Sequence, residues 1–171
     1  MKKRLLVFSL LGMVQYAFGQ QGKESLTIGW PPQYLWQIVQ HQNDSNKQVL
    51  TIIPGNETVK TATIIGNSVV YKGLTRPNVD ELLNSYQNNL GAGTKFTLIS
   101  RHDQAGKLWA LFKLETPKMP QYPDAESDLY YVVQGKYGLY EVHVAIKSPH
   151  LNASFVDQWS RIFLAGKLEL H

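Results

Sequence analysis

The chain has 171 residues, no cysteine and a formal net charge of +4, from 17 Lys and Arg against 13 Asp and Glu. The lack of cysteine excludes a disulfide framework, thiolate chemistry and a zinc–thiolate site. Three basic residues lie in residues 1–19, so the rest has 14 basic and 13 acidic residues, without the Lys/Arg runs that nucleic-acid binding requires.

Residues 1–19 have the pattern of an export signal. A basic segment, Lys2 to Arg4, precedes the apolar run Leu5 to Val14, and Ala17 to Gly19 is a small-x-small cleavage site. Ten apolar residues are too few to span a bilayer as a helix. We therefore expect cleavage before Gln20 and an exported product, periplasmic or extracellular, in which residues 20–171 form one domain with no transmembrane segment.

Short strand patterns follow the export signal. They are predicted over Leu26–Ile28, Tyr34–Val39 and Val49–Ile53. The first strand ends at the Pro31-Pro32 pair, since neither proline can donate to a ladder. A polar, mobile turn is predicted over His41 to Asn46. Thr58 to Lys72 is compatible with a hairpin turning at Gly66-Asn67 or with one bent strand.

The middle of the chain predicts one helix and one hairpin. Asn78 and Glu81 have a capping-box spacing, and the apolar residues up to Leu90 share one helical face before Gly91. The runs Lys95–Arg101 and Lys107–Glu115 alternate around a turn at Asp103 to Gly106. A proline-rich irregular segment is predicted from Thr116 to Ser127.

The clearest structural signal runs from Asp128 to Gly166. Two β runs, Leu129–Val133 and Leu139–Ile146, predict a tight hairpin, because the glycines of the intervening Gly135 to Gly138 can adopt positive φ. A helix centred on Trp159 follows, with a capping-box spacing at Ser154 and Asp157. Gly166 predicts a left-handed end to that helix.

This order of elements predicts the α+β class, an antiparallel sheet flanked by helices. With the run Leu139 to Val144 and the closing Trp159 helix, it resembles the Mog1/PsbP-like family over most of residues 20–171. The resemblance implies that fold and, with the export signal, a bacterial substrate of type II secretion. Members of this fold bind partners or accessory ions without one shared catalytic constellation, so the resemblance assigns no active-site residue.

Glu141 and His143 lie on one face of a single predicted strand. They could form a general base pair or two metal ligands, although a cross-strand polar pair on a half-exposed face is the commoner explanation. Arg101-His102-Asp103 sets a base beside a carboxylate, but no nucleophile motif accompanies it and turn chemistry explains it better. No cofactor and no metal site is predicted.

The aromatic and acidic clusters have similar alternatives. Trp30, Tyr34 and Trp36 are expected in the core, with a ligand groove as the alternative. Asp124, Glu126 and Asp128 could hold calcium, but the glycine and closing glutamate of an EF-hand loop are missing, so a solvated acidic loop is favoured.

These observations predict a secreted, non-enzymatic binding protein that recognises a protein, lipid or small ligand through polar loops. The loops are residues 41–47, 102–107 and 118–127. The contact residues predicted within or beside them are His41, Asn43, Asp44, His102, Asp103, Gln104, Tyr122, Asp124, Glu126 and Asp128. The alternative is a small secreted hydrolase that uses Glu141 and His143.

Overall fold

The computed structural model describes residues 15–20, 24–73, 76–104, 107–120 and 124–171. The strands in these ranges are β1 (Gln15–Gln20), β2 (Glu24–Gly29), β3 (Gln37–Asn43), β4 (Lys47–Ile53), β5 (Ile65–Tyr71), β6 (Lys95–Gln104), β7 (Lys107–Thr116), β8 (Glu126–Gln134), β9 (Leu139–Ile146) and β10 (Lys167–Leu170). The helices are α1 (Val79–Asn88) and α2 (Ala153–Leu164), and Pro32–Tyr34 forms a 3-10 turn.

The strands form two antiparallel sheets. The large sheet has the order β3-β4-β5-β9-β8-β7-β6, and the small sheet has the order β1-β2-β10. The predicted α+β class and antiparallel sheet are therefore confirmed. β1 spans the predicted cleavage site, so cleavage before Gln20 would remove all of β1 except that residue.

Each face of the large sheet has its own hydrophobic core. One face packs against α2 and β2, where Trp159 and Phe163 are fully buried. The other face packs against α1 through Val79, Leu82 and Leu83. Residues of β8 alternate between these two cores, and Leu129 to Val133 is buried throughout, as is usual for a strand covered on both faces.

The α1 prediction holds in detail, because Asn78 and Glu81 form a complete capping box. Both end predictions for α2 are wrong. Asn152, not Ser154, caps α2 by accepting from the Phe155 backbone N–H at 2.8 Å. α2 ends at Leu164, its C-cap residue Ala165 has a right-handed conformation, and Gly166 has no positive φ.

The predicted turn boundaries also need correction. β3 extends to Asn43 and β6 to Gln104, so residues that the sequence assigns to turns lie in strands. Gly66 lies inside β5 and not in a turn. A side chain at this position would come within 2.7 Å of the Trp30 ring, so the close packing of Trp30 requires glycine here. Tyr34 lies in the 3-10 turn and β3 begins only at Gln37, and the short β10 after α2 was not predicted.

In the part of the chain that the structure describes, no helix combines the length and apolar character needed to cross a membrane.

Candidate functional site

The three predicted contact loops do not converge. The β3–β4 and β6–β7 turns lie at the same end of the large sheet as the β8–β9 turn, an end that we call the tip end. β3 and β6 are the two opposite edge strands, so the first two loops are separated by the five strands between them. The loop before β8 lies at the other end of the sheet.

The polar residues of the first loop mainly stabilise their own turn. His41 lies in β3 and not in a turn. Asp44 accepts from the backbone N–H groups of Asn46 and Lys47, each at 2.8 Å, and these bonds lower the pKa of its carboxyl. Asn43 accepts from the Lys72 ammonium. These contacts fix the turn next to the end of β5.

The second loop contacts an aromatic side chain. His102, Asp103 and Gln104 lie in β6, and the His102 ring stacks on Trp109 with centroids 5.8 Å apart. Asp103 pairs with Arg101 at 3.0 Å. The predicted base and carboxylate of this segment therefore engage different partners.

The acidic residues near β8 do not form one solvated loop. Asp124 is exposed and Glu126 opens β8, but Asp128 lies within β8 and is 8% exposed. Burial raises the pKa of Asp128 to about 7, with the His143 side chain opposing that shift. Tyr122 lies outside the described residues. Among those described, no three His, Asp or Glu side chains are placed to hold a metal ion.

Glu141 and His143 converge on the face of the large sheet that α1 covers. Glu141 is 2% exposed and not half-exposed as the strand pattern predicts. The Tyr71 hydroxyl donates to one of its carboxylate oxygens at 3.1 Å, and the Tyr86 hydroxyl donates to the other at 3.0 Å. Burial, and secondly the Glu141 charge, raise the pKa of both tyrosines. Each oxygen of Glu141 thus has a protein donor.

The His143 ring is held between Asn67 and Glu141. The Asn67 amide nitrogen lies 2.9 Å from Nε2 of the ring. Nδ1 faces Glu141 Oε1 at 3.5 Å. A buried carboxylate, a half-buried imidazole and a half-buried amide therefore form one row.

A separate cavity of about 560 Å³ opens at the tip end, on the face that α2 covers. Its floor is formed by Trp109, Tyr131 and Val133. Tyr131 and Val133 are buried, Trp109 is half-buried, and the Trp109 and Tyr131 rings are 6.0 Å apart. The end of α2 and β10 supply its walls, through Leu164 and Leu168 among others. We call this cavity the tryptophan pocket.

A buried carboxylate fixes the β8–β9 turn beside the tryptophan pocket. Glu24 of β2 is 4% exposed and accepts from the backbone N–H groups of Lys136 and Tyr137, each at 3.1 Å. The Tyr140 hydroxyl lies 3.2 Å from the same carboxylate. A side chain at Gly135 would come within 2.2 Å of a Glu24 oxygen, so this turn requires glycine for its close approach.

Two smaller cavities adjoin the tryptophan pocket. One, of about 310 Å³, includes Lys107, Leu108 and Lys136 in its lining, and the other, of about 320 Å³, includes Arg76 and Leu108. They share Leu108 and Gln134, and the first shares Lys107 and Lys136 with the tryptophan pocket. We call these two cavities together the basic recess, since their described lining residues include Arg76, Lys107 and Lys136 and no acidic side chain.

Sequence reasoning missed most of the tryptophan pocket. The alternation of β7 places Trp109 and Phe112 on opposite faces of the large sheet. The contribution of β10 and the contact of Glu24 with the β8–β9 turn depend on residues more than 100 positions apart. No local pattern signals such a contact.

Comparison with known proteins gives little further information. No protein-family model matches the chain. No curated protein matches it either. A solved crystal structure from Bacteroides thetaiotaomicron VPI-5482 is similar, with 11% sequence identity and a TM-score of 0.49. The similarity covers 89% of this chain and 49% of that chain, so this chain spans about half the length of the protein it matches.

Proposed function

We propose that the protein is an exported, non-enzymatic binding module that holds a small ligand in the tryptophan pocket. The observation that carries the proposal is the pocket itself, a concave apolar site with an aromatic floor and a few polar groups at its rim. Small-molecule sites usually have this composition and volume. Of the three predicted contact loops, the one at residues 102–107 adjoins this pocket, through His102 and Lys107.

The frame of the pocket supports a binding role. Trp109 and Tyr131 lie on adjacent paired strands, and Glu24 fixes the turn that closes one side. A site held by paired strands and buried hydrogen bonds needs little reordering when a ligand enters, which lowers the entropic cost of binding.

The fold family and the export of the protein are part of the same proposal. We propose that the domain has a Mog1/PsbP-like fold. We also propose that the signal at residues 1–19 directs its export and that the protein is a substrate of the bacterial type II secretion route. An antiparallel sheet with a helix on each face is compatible with that fold. A protein or lipid partner would use the same tip end of the sheet.

The second candidate is a hydrolase that uses Glu141 and His143. Their convergence favours it, because His143 Nδ1 lies 3.5 Å from Glu141 in the arrangement by which a carboxylate orients a catalytic imidazole. Against it, Tyr71 and Tyr86 occupy both oxygens of Glu141, and Asn67 occupies His143 Nε2. A substrate would first have to displace these partners, so we favour binding.

The experiment that tests the binding role uses Nile red, an uncharged dye that fluoresces in apolar pockets. We expect saturable enhancement with the wild-type protein and loss of that enhancement in Leu168→Glu, which sets a charge in the pocket wall. Val59→Glu is the matched control, because Val59 is 59% exposed and lies away from the tip end. Equal enhancement in both variants, or none in the wild type, would contradict the proposal.

A further inference from the structure

We infer that the ligand is a free anionic amphiphile whose apolar chain lies in the tryptophan pocket and whose anionic group lies at the basic recess. The inference rests on the proposed binding function and adds the chemical class and the orientation of the ligand. The class comprises single-chain molecules with a carboxylate, sulfate or phosphate head.

The apolar floor of the tryptophan pocket and the cationic basic recess are separate, adjoining surfaces. The floor of the tryptophan pocket is aromatic and aliphatic, and its β10 wall carries Lys167 and Glu169 beside Leu168. The adjoining basic recess carries Arg76, Lys107 and Lys136. Lys107 and Lys136 line both cavities, so the cations begin where the apolar surface ends. A ligand that fills both cavities needs an apolar part and an anionic part.

The cationic side chains of the basic recess are available to bind an anion. Among the described residues, neither Lys107 nor Lys136 forms a salt bridge. The Lys136 ammonium lies over the Tyr137 ring at 5.2 Å. The Arg76 guanidinium donates to the backbone carbonyls of Gly73 and Lys136, and no carboxylate in the described part of the chain pairs with it.

The carboxylates near the tryptophan pocket and the basic recess already have partners within the protein. Glu24 is buried and saturated by backbone and tyrosine donors, and Glu169, on the far rim of the tryptophan pocket, accepts from the Thr27 hydroxyl at 3.0 Å. Asp103, which faces Leu108 across the β6–β7 pair, is bound to Arg101. Among the described lining residues, the recess has three cationic side chains and no acidic one, and this positive charge favours an anionic head.

The test compares ligands of one chain length and different head charge. Decanoate, 1-decanol and decyltrimethylammonium each compete with Nile red, at concentrations below micelle formation. We expect decanoate to displace the dye at a concentration about 10-fold or more below that of 1-decanol, as for two or three partly exposed charge pairs acting together. Raising the salt concentration should weaken decanoate and leave 1-decanol unchanged.

Variants assign the head group to the recess. Lys107→Gln and Lys136→Gln should each weaken decanoate about 2- to 5-fold and change the affinity for 1-decanol by a smaller factor. Lys95→Gln is the matched control, because Lys95 is an exposed lysine at the other end of the large sheet. Both lysine substitutions replace exposed side chains, so the fold should persist, and a thermal melt verifies this.

The outcomes separate this inference from the proposed function. Nile red enhancement with equal competition by decanoate and 1-decanol, or with Lys107→Gln and Lys136→Gln matching Lys95→Gln, would overturn the anionic class and leave the pocket as a binding site. Absence of any Nile red enhancement would overturn both. Sedimentation with phosphatidylglycerol vesicles, without dye displacement by decanoate, would identify a membrane surface as the anion source and overturn the free-ligand inference.

Discussion

Asp128 has a carboxyl group that burial keeps partly protonated near neutral pH. Its side chain lies on the α1-covered face of the large sheet, where burial raises its pKa from 3.8 to about 7. The neighbouring carboxylates Glu126 and Glu141 also raise it, while His143 opposes them. The folded state thus holds a proton that the unfolded chain releases above about pH 4.

This shift predicts a pH-dependent cost to stability. Because the pKa is higher in the folded state, the stabilisation from Asp128 is present below about pH 4 and is lost as pH rises towards 7. Relative to wild type, Asp128→Asn should gain about 2 to 4 kcal/mol in the free energy of unfolding between pH 4 and pH 8. Urea titrations across this range measure it. The exposed Asp124→Asn is the control, and parallel curves for Asp128→Asn and wild type would contradict the burial of this group.

Trp159 is the residue on which the α2 core depends most. Its side chain is fully buried, with ring centroids 5.8 Å from Trp30, 6.4 Å from Trp36 and 5.7 Å from Phe163. Trp159→Ala should lower the free energy of unfolding by about 3 to 5 kcal/mol, because it leaves a cavity among rigid rings. Leu164→Ala, at a 43% exposed position of the same helix, should cost less than about 1 kcal/mol. Similar melting temperatures for the two variants would show that α2 is not docked as described.

The residue pattern of a strand predicts which face a side chain occupies better than it predicts how deeply that side chain is buried. The alternation of β9 places Glu141 and His143 together opposite Tyr140, as predicted. The sequence could not indicate that Glu141 is buried, because its two tyrosine donors come from β5 and α1, 70 and 55 residues away. A charged residue in a strand suggests exposure unless such partners are known.

At the scale of elements, the β8–β9 turn is held by a residue of another sheet. Glu24 accepts from the Lys136 and Tyr137 backbone N–H groups, and the Gly135 Cα lies against the carboxylate. Neither Gly135 nor Gly138 has the positive φ that the sequence suggests for a tight hairpin. Here glycine provides space and not an unusual dihedral angle.

Gly135→Ala should therefore disturb the turn and the pocket together. The added methyl group would lie 2.2 Å from a Glu24 oxygen and 2.7 Å from the Tyr140 ring, and we expect a loss of about 1 to 3 kcal/mol in unfolding free energy. Nile red affinity should fall in the same variant. Gly91→Ala is the control, because a methyl group there meets only an ordinary contact at 3.5 Å. Wild-type stability in Gly135→Ala would argue against the Glu24 contact.

Element boundaries were predictable where the signal is local. The α1 cap and the β8–β9 hairpin follow from spacing within a few residues. The α2 cap was misplaced because Ser154 and Asn152 are both good capping residues, and only the course of the chain decides between them. β10 has four residues, and its pairing with β2 across the whole chain length gives no local signal.

At the scale of the whole molecule, the fold separates the Glu141–His143 row from the proposed ligand site. The Glu141–His143 row lies under α1, while the tryptophan pocket and the basic recess lie at the tip end. The fold class followed from the order of elements, but the position of the pocket depends on how β2, β10 and α2 pack on the large sheet. Periodicity within an element carries no information about that packing.

The most direct measurement is a two-dimensional ¹⁵N–¹H NMR titration of the uniformly labelled protein with decanoate. We predict saturable shifts of backbone signals at Lys107, Trp109, Val133 and Lys136, together with the Trp109 indole signal, and unchanged signals at Asn67, Glu141 and His143. Shifts confined to Asn67, Glu141 and His143, or no saturable shift at any concentration below micelle formation, would contradict the assignment of ligand binding to the tryptophan pocket.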